Sequence, residues 1–247
     1  MVNVAIAMPY READDRRLEL ANFTWHWLRK NHPDSPVSLG DSPAGPFNRG
    51  HAINDAARKA GDWDVLVVHD ADNICHPEAF KAAVTMAHAS GKVFYPFETY
   101  VYLDENSSNG LMHYDSWFVA PEIHPQHGYR TTVRRKHYSG IQVIPRGAYE
   151  AAGGFIELTG WGAEDAIMDT VFDVFASGSE WMGGAAYHLW HPANRNDPKD
   201  ADNVRNHSIW QKVHAITQRG QTAQAMRDQW VPKTLRAYLA TQGYVIP

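Results

Sequence analysis

Residues 64–72 read DVLVVHDAD, an apolar, β-branched run that ends in two carboxylates. Gly61 and Asp62 precede the run and turn-forming residues follow it, so it predicts a short buried strand. In open α/β sheets the carboxyl ends of the strands face a crevice where ligands bind. Asp70 and Asp72 would lie in that crevice, where two carboxylates separated by one residue can hold a divalent cation.

A structural interpretation of Asp70 and Asp72 is also open. Aspartate is favoured in turns because its side chain bonds to nearby backbone groups. An Asp-x-Asp pattern is also short enough to arise by chance. The pair by itself therefore does not decide between a turn and a metal site.

Length and composition indicate a globular protein with room for a sizeable core. The chain has 247 residues, of which 44% are hydrophobic and 21% charged, and its formal net charge is −5. We predict a main domain over residues 1–200 and a C-terminal helical extension over 201–247 packed on it. The negative charge gives no general attraction for nucleic acid, so nucleic acid is not an expected partner, although a modified base is kept among the acceptors considered.

The sequence argues against a disulfide framework and against a membrane location. Cys75 is the single cysteine, which excludes an intramolecular disulfide and a cysteine-based zinc site. No apolar run is long enough to span a membrane, and the apolar N-terminus is too short for a signal peptide. We therefore expect no membrane partner and a cytoplasmic location.

The order of the predicted elements favours an α/β fold with a mostly parallel sheet flanked by helices, because strand and helix patterns alternate in the first half of the chain. Residues 98–138 lack a clear period, apart from an extended stretch at 116–120, and a segment of that length predicts a functional loop. The predicted strands cover 2–8, 36–39, the run that ends at Asp70, 92–96 and 141–145. The predicted helices begin near residues 14, 48, 78, 146, 164, 202 and 222.

Three further segments carry residues suited to binding a nucleotide and to proton transfer. Pro9-Tyr10-Arg11 follows the first strand, where an arginine can meet a nucleotide. Phe47-Asn48-Arg49-Gly50 precedes a helix and offers an aromatic face for a base, an arginine for a phosphate and helix-start amides. In Gly160-Trp161-Gly162-Ala163-Glu164-Asp165, glycines flank an indole and two carboxylates stand at a helix start. Acidic residues favour the first turn of any helix, but glycines beside an exposed indole favour a loop that must move.

With these motifs in this order, the chain resembles the GT-A glycosyltransferases, and within them the β-1,4-galactosyltransferase and chondroitin-polymerase-like enzymes. The resemblance covers about residues 1–200. It implies the GT-A fold, a Rossmann-like α/β architecture, and the transfer of a hexose or N-acetylhexosamine from a UDP-sugar to an acceptor hydroxyl with inversion. The implied cofactor is Mn²⁺ or Mg²⁺, and the implied acceptor is a glycan, a protein or another hydroxyl compound.

The resemblance also implies a donor site. Phe47 would flank the uracil, Arg11 and Arg49 would hold the nucleotide, and Trp161 would cover the donor and meet the acceptor. Glu164 would bind an acceptor hydroxyl and Asp165 would be the catalytic base. The residues implied to contact the donor are Pro9, Arg11, Phe47, Arg49, Asp70, Asp72, Gly140 and Trp161.

The implied metal ligands are Asp72 and His191, with His188 and Asp70 as further candidates. On a continuing strand, residues three apart point to opposite faces. Both histidines could bind one ion only if the strand ends there, as Pro192 allows, and either could instead be a hydrogen-bonded structural residue. Carboxylate and imidazole ligands together suit Mn²⁺ better than Mg²⁺.

One departure from the family concerns the base. The relatives often carry a further acidic residue after the Glu-Asp pair, whereas this chain continues Ala166-Ile167-Met168-Asp169. If the helix starts at Asp165, then Asp169 lies one turn later on the same face. Asp169 therefore stays as an alternative to Asp165.

Three rival functions are weighed against inverting transfer. The retaining polypeptide N-acetylgalactosaminyltransferases are similar in the Trp-Gly-x-Glu region but usually have Asp-x-His in place of Asp-x-Asp. A nucleotidyltransferase normally needs a glycine-rich, basic loop after the first strand, which residues 9–12 do not provide. A non-catalytic sugar-binding module would leave the aspartate pair and Glu164-Asp165 without a purpose.

Overall fold

The computed structural model describes residues 2–113, 134–135, 137–160, 162–192, 200–219 and 224–247. Strands and helices alternate along most of this length. The strands are β1 (Val4–Pro9), β2 (Val37–Gly40), β3 (Val65–His69), β4 (Asn73–Cys75), β5 (Val93–Tyr95), β6 (Thr99–Tyr102), β7 (Arg134–Arg135), β8 (Ile141–Pro145), β9 (Ser179–Trp181) and β10 (Ala185–His188). The helices are α1 (Asp15–Asn31), α2 (Arg49–Lys59), α3 (Pro77–Ser90), α4 (Glu105–His113), α5 (Arg146–Ala152), α6 (Glu164–Phe175), α7 (Ala201–Arg219) and α8 (Gln224–Thr241).

The main sheet has the strand order β2-β1-β3-β8-β5-β9. β1 runs parallel to β2 and β3, and β5 runs parallel to β9. β8 is antiparallel to both of its neighbours. The predicted mostly parallel sheet flanked by helices is confirmed. The reversal at β8 could not be foreseen, because this strand is buried along its whole length, as a parallel strand also is.

Side chains along β3 alternate between two hydrophobic layers. Val65 and Val67 pack in the layer that contains α1 and α3, whereas Leu66 and Val68 pack in the layer that contains α2, α6 and α7. Successive side chains of a strand point to opposite faces, so a sheet covered on both faces requires a continuous apolar run. Because every residue of β3 is buried, the residues that follow this strand start from a well-fixed position.

A second, smaller sheet joins the segment after β3 to the chain around His188. Its strand order is β4-β10-β6-β7. β10 pairs antiparallel with β4 and parallel with β6, so that His188 lies opposite Asn73 on one side and Tyr102 on the other. This sheet therefore places the end of β10 beside residues 70–72.

Residues 98–138 are more regular than the sequence predicts. Thr99–Tyr102 forms β6 and Glu105–His113 forms α4, so the expectation of a long irregular loop is wrong for these residues. β6 has four residues and pairs with strands that lie far away in the sequence. The local periodicity of the sequence cannot predict such a long-range pairing. The extended stretch expected at 116–120 lies outside the described residues.

The C-terminal helices share a hydrophobic layer with the main sheet. Ile209 and Val213 of α7 and Leu235 and Leu239 of α8 are buried in the layer that also contains Leu66. The helices predicted to begin near residues 202 and 222 are confirmed as α7 and α8. Nowhere in the described ranges is a helix long and apolar enough to cross a membrane.

Acid should destabilise the fold through His32, which follows the last residue of α1. Its ring stacks on Phe80 with centroids 3.8 Å apart, and burial lowers the pKa of His32 from 6.5 to about 4. The unfolded chain therefore binds the proton more tightly, so the free energy of unfolding falls as the pH drops from 6.5 towards 4. The loss of folding stability caused by His32 amounts to about 3 kcal/mol at pH 4.

His32→Phe keeps an aromatic ring on Phe80 and removes the titrating group. We expect the variant to lose less stability than the wild type between pH 7 and pH 4.5. Urea unfolding followed by circular dichroism at the two pH values measures the difference. The same pH dependence in both proteins would show that His32 is not neutral in the folded state.

Candidate active site

The Asp-x-Asp segment is a short turn held by backbone hydrogen bonds at both ends. β3 ends at His69, and the Asp70 N–H donates to the Gly140 carbonyl over 2.8 Å. The Asp72 carbonyl accepts from the Leu189 N–H, also at 2.8 Å. The turn is thus tied to the segment before β8 on one side and to the end of β10 on the other.

Gly140 is required by this arrangement. Its φ is +96°, a conformation that residues with a side chain rarely adopt. A Cβ there would lie 2.7 Å from the Tyr100 ring and 3.0 Å from Asn73 Oδ1. The resemblance implies that Gly140 contacts the sugar donor. The structure places Gly140 next to the turn that carries Asp70.

Asp72, His188 and His191 converge. The Nε2 atoms of His191 and His188 lie 3.3 Å and 3.7 Å from Asp72 Oδ2, and one potential ligand atom from each residue lies within 4.8 Å of the others. β10 ends at His188, so the chain no longer alternates as a strand when it reaches His191 and both rings can face the same carboxylate. One carboxylate and two imidazoles fit a divalent transition-metal ion such as Mn²⁺.

The surroundings of Asp72 favour its ionised form. Burial acts to raise the pKa of Asp72, but His188, His191 and Arg17 outweigh it and hold this pKa below its usual range. Burial lowers the pKa of His188, so its imidazole is neutral and offers a lone pair. Arg17, whose Nη1 lies 3.1 Å from Asp72 Oδ2, is the permanent positive charge in this group.

A row of polar side chains supports Asp72 from behind. Asn73 Nδ2 donates to Asp72 Oδ1 over 2.7 Å, and the Tyr100 hydroxyl donates to Asn73 Oδ1 over 2.7 Å. Both supporting residues are buried. Such partners fix the orientation of a ligand and raise its affinity for a metal.

Asp70 faces a different partner. It was among the candidate metal ligands, but the structure places it outside the Asp72, His188 and His191 group and against Arg49. Arg49 Nε donates to Asp70 Oδ1 over 2.9 Å, and Arg49 Nη1 lies 2.5 Å from Asp165 Oδ1. One guanidinium therefore bridges the Asp-x-Asp turn and the start of α6.

The Phe-Asn-Arg-Gly sequence explains how Arg49 reaches this position. The Asn48 side chain caps α2 by accepting from the His51 N–H at 2.9 Å. Gly50 packs directly on the Ile156 carbonyl, where a Cβ would collide with the oxygen. The start of α2 is thereby pressed against the segment that leads to α6, and Arg49 projects between Asp70 and Asp165.

The turn before α6 has an unusual backbone. Gly160 and Gly162 have φ values of 76° and 110°, and Ala163, the N-cap, has φ 67°. A left-handed conformation costs a residue with a Cβ roughly 1–2 kcal/mol, and such strain is concentrated at functional sites. The turn presents Glu164 and Asp165 as the first two residues of α6. Trp161 lies outside the described residues.

Asp165 is largely buried, with 15% of its side chain exposed, and one of its two carboxyl oxygens is already hydrogen-bonded. Arg49 and Gln142 both contact Oδ1, the latter at 3.4 Å, and no bond to Oδ2 is found among the described residues. Burial raises the pKa of Asp165 to about 8, Glu164 and Asp70 add to this effect, and Arg49 opposes it. A pKa near the working pH lets a carboxyl group both take up and release a proton, as a general base must in each turnover.

Asp169, the alternative base, makes hydrogen bonds that hold the fold together. It is buried and accepts hydrogen bonds from the Tyr95 hydroxyl at 3.1 Å and from Ser179 Oγ at 2.5 Å. These bonds tie α6 to β5 and β9. Asp169 is therefore less suited than Asp165 to act as a base.

Arg11 and Phe47, two of the residues implied to contact the donor, lie together. Arg11 Cζ lies 5.4 Å from the centroid of the Phe47 ring, just after Pro9 at the end of β1. Arg11 also pairs with Asp41 at 3.0 Å and donates to the Gly45 carbonyl at 2.8 Å. It thus anchors the loop after β2 and presents the Phe47 ring beside it.

Several residues of the site escape sequence reasoning. Arg17 lies in the first turns of α1 and looks like an ordinary exposed helix residue in the sequence. Asn73 and Tyr100 carry no motif. Gln142 did carry a signal, because it is a polar residue inside the apolar strand IQVIP, and buried polar groups are normally retained for a bond they make.

Neither a scan against protein-family models nor a search of curated proteins finds a match to this chain. Solved structures do match it. The catalytic domain of Drosophila β1,4-galactosyltransferase 7 in complex with xylobiose aligns with 79% of this chain and 74% of that one, at 18% identity and a TM-score of 0.50. GalNAc-T7 with UDP, GalNAc and Mn²⁺ aligns with 100% of this chain and 59% of that one, at 11% identity and a TM-score of 0.51.

TarS residues 1–349 from S. aureus in complex with UDP-GlcNAc aligns with 96% of this chain and 73% of that one, at 12% identity and a TM-score of 0.52. The chain has the GT-A fold. The predicted fold is thus confirmed, because each of these structures is a glycosyltransferase catalytic region built on it. The narrower resemblance to the β-1,4-galactosyltransferases stays a prediction, since the matches include other kinds of transferase.

The Asp72, His188 and His191 group should bind Mn²⁺. We expect Asp72→Asn and His191→Ala each to weaken Mn²⁺ binding by more than about 100-fold, because even outer partners of a metal ligand typically contribute 10- to 100-fold. Calorimetric titration of the protein with MnCl₂ measures the effect. His26→Ala, an exposed histidine of α1, is the control. Equal affinity in all three variants and the wild type would place the ion elsewhere.

Proposed function

We propose that the protein is a metal-dependent glycosyltransferase that moves a hexose or N-acetylhexosamine from a UDP-sugar to an acceptor hydroxyl with inversion. The observation that carries the proposal is the placement of Asp72, His188 and His191 at the carboxyl end of β3, with Asp165 joined to the same turn through Arg49. The proposed reaction would use both parts, the cation at the departing diphosphate and the carboxyl group as the base.

The donor would lie across the carboxyl ends of β1 and β3. Phe47 and Arg11 form a ring-and-guanidinium surface suited to a uracil. A divalent cation held by Asp72, His188 and His191 would neutralise the negative charge that develops on the departing diphosphate. GalNAc-T7 and TarS, which share the fold, were solved with UDP or UDP-GlcNAc. These likenesses support a nucleotide-sugar donor for this chain.

The proton would pass to Asp165. The oxygen of the acceptor hydroxyl forms a bond to the anomeric carbon as the bond from that carbon to the diphosphate oxygen breaks. Asp165 accepts the hydroxyl proton, and its Oδ2 atom is the suitable one because Oδ1 is held by Arg49 and Gln142. Glu164, half-buried at the first position of α6, is placed to bind a hydroxyl of the acceptor.

Retention of configuration is the second candidate, favoured by the match to GalNAc-T7. Two features support inversion over it. The second residue of the Asp-x-Asp turn is Asp72, where the retaining family resembled in the sequence usually has histidine. The pKa of Asp165, which is largely buried, is also raised towards the working pH, the range suited to a general base that activates a hydroxyl.

Release of UDP tests the transferase function directly. The protein is incubated with UDP-galactose, UDP-glucose, UDP-N-acetylglucosamine or UDP-N-acetylgalactosamine, with and without Mn²⁺, and free UDP is measured. We expect slow release from one preferred donor that requires Mn²⁺ and is lost in Asp72→Asn. Acceptors are then screened with that donor by mass spectrometry. If no donor is hydrolysed or transferred with Mn²⁺ or Mg²⁺, the proposal is wrong.

Asp165→Asn should separate catalysis from binding. We expect the rate of transfer to fall by about 10²- to 10⁴-fold, the usual contribution of a general base, while Mn²⁺-dependent UDP binding stays unchanged. Calorimetry with UDP and a single-turnover assay measure the two quantities. Asp173→Asn, on an exposed position of the same helix, is the matched control and should turn over normally. Near-normal turnover of the Asp165 variant would remove Asp165 from the role.

The stereochemistry of the product distinguishes the two candidate mechanisms. A UDP-sugar with an α-linked anomeric carbon should give a β-linked product if Asp165 activates the acceptor for direct displacement. The anomeric proton coupling in the NMR spectrum of fresh product reports the configuration. An α-linked product would support the retaining alternative and refute inversion.

A further inference from the structure

Arg49 lies between two carboxylates that come from different parts of the chain. Asp70 follows β3 and Asp165 is the second residue of α6, while Arg49 itself begins α2. The distances are 2.9 Å and 2.8 Å from Arg49 Nε and Nη2 to Asp70 Oδ1, and 2.5 Å from Nη1 to Asp165 Oδ1. The exposed fractions of the Arg49, Asp70 and Asp165 side chains are 13%, 21% and 15%. The guanidinium is thus engaged on both sides and largely withdrawn from solvent.

We propose that Arg49 is a positioning residue for Asp165, holding its carboxyl group with Oδ2 turned to the acceptor, and is not a phosphate-binding arginine. This inference rests on the proposed function only for its effect on turnover. All three guanidinium nitrogens lie within 3 Å of a carboxylate oxygen, and Nε and Nη1 donate hydrogen bonds whereas Nη2 makes the ion-pair contact alone. A phosphate would have to displace one of two buried negative charges to reach it, which is costly.

The geometry favours a positioning role over a purely structural ion pair. The guanidinium of Arg49 and the side-chain amide of Gln142 both donate to the same oxygen of Asp165, Oδ1. Gln142 is itself fixed by a hydrogen bond to the Tyr138 carbonyl at 2.5 Å. Two donors on one oxygen fix the plane of the carboxyl group. The other oxygen then keeps a constant direction, as proton transfer requires.

Two carboxylates share one guanidinium, so they titrate as a pair. The titratable and charged groups near Asp165 are Arg49 from α2, Asp70 from the turn after β3, Glu164 from α6 and the neutral Tyr95 from β5. Asp169 bonds to Tyr95 one turn further along α6, and α7 brings Asp202 and His207 against Gly160 and Gly162. Among these groups Arg49 is the one whose positive charge directly opposes protonation of Asp165.

The test follows the titration of Asp165 itself and needs no enzymatic activity. Protein labelled with ¹³C at the aspartate carboxyl is titrated by NMR, and the Asp165 signal is assigned with Asp165→Asn. We expect Arg49→Gln to move the titration upward by about 1 to 3 pH units, the usual effect of an adjacent opposite charge, and Arg49→Lys to restore part of the shift. Arg58→Gln, an exposed arginine of the same helix, should leave it unchanged.

Asp70→Asn provides the converse test, which stays informative if the Arg49 variants fail to fold. This substitution would leave Arg49 with one carboxylate, so we expect a single Asp165 titration step at lower pH than in the wild type. An Asp165 signal that titrates identically in the wild type, Arg49→Gln and Asp70→Asn would overturn the proposal.

Binding and turnover separate this proposal from the alternative role. If Arg49 positions the base, Arg49→Gln binds UDP and Mn²⁺ with wild-type affinity, while the acidic limb of the pH–rate profile moves upward with the NMR titration. A tenfold or greater loss of UDP affinity with an unmoved titration would assign Arg49 to the nucleotide instead. A wild-type protein without transferase activity would refute the proposed function and leave the NMR result on Arg49 standing.

Discussion

The ion pairs of Arg49 with Asp70 and Asp165 are the constraint on which the site depends. They connect the starts of α2 and α6 to the turn after β3, three segments that are far apart in the sequence. Removing one partner from a buried ion pair typically costs about 3–5 kcal/mol, because a charge is left without compensation. The strained backbone at Ala163 is tolerated in the same region, where these contacts hold the first turn of α6 in place.

The two aspartates of the turn serve different clusters. Asp70 contacts Arg49, whereas Asp72, two residues later, contacts Arg17 and faces His188, which ends β10, and His191, which follows it. A single short turn can do this because its ends are bonded to two different sheets. The metal side and the base side of the site are therefore joined by three residues of backbone, Asp70 to Asp72.

Sequence reasoning recovers what is local and fails where pairing is long-range. The buried run of β3 and the helices at Arg49 and Glu164 follow from apolar periodicity and caps. The direction of β8 and the existence of β6 cannot be predicted in this way, because a short strand is defined by partner strands that lie far away in the sequence. The sequence indicated that His188 and His191 can meet only if the strand ends at His188. Where that strand ends depends on the pairing of β10 with β4 and β6, which the sequence does not show. Arg17 had no sequence signal, because its partner Asp72 lies 55 residues away.

The helical extension also contributes to the candidate active site. Arg205 Nη2 and Asn206 Nδ2 of α7 donate to the Thr159 carbonyl at 2.8 Å and 3.2 Å, just before Gly160. Asp202 packs directly on Gly160, and His207 Nε2 lies 3.5 Å from the position of a Cβ on Gly162. The turn that presents Glu164 and Asp165 is thus supported from outside by α7. A sequence resemblance that ends near residue 200 therefore omits a helix that supports the turn before α6.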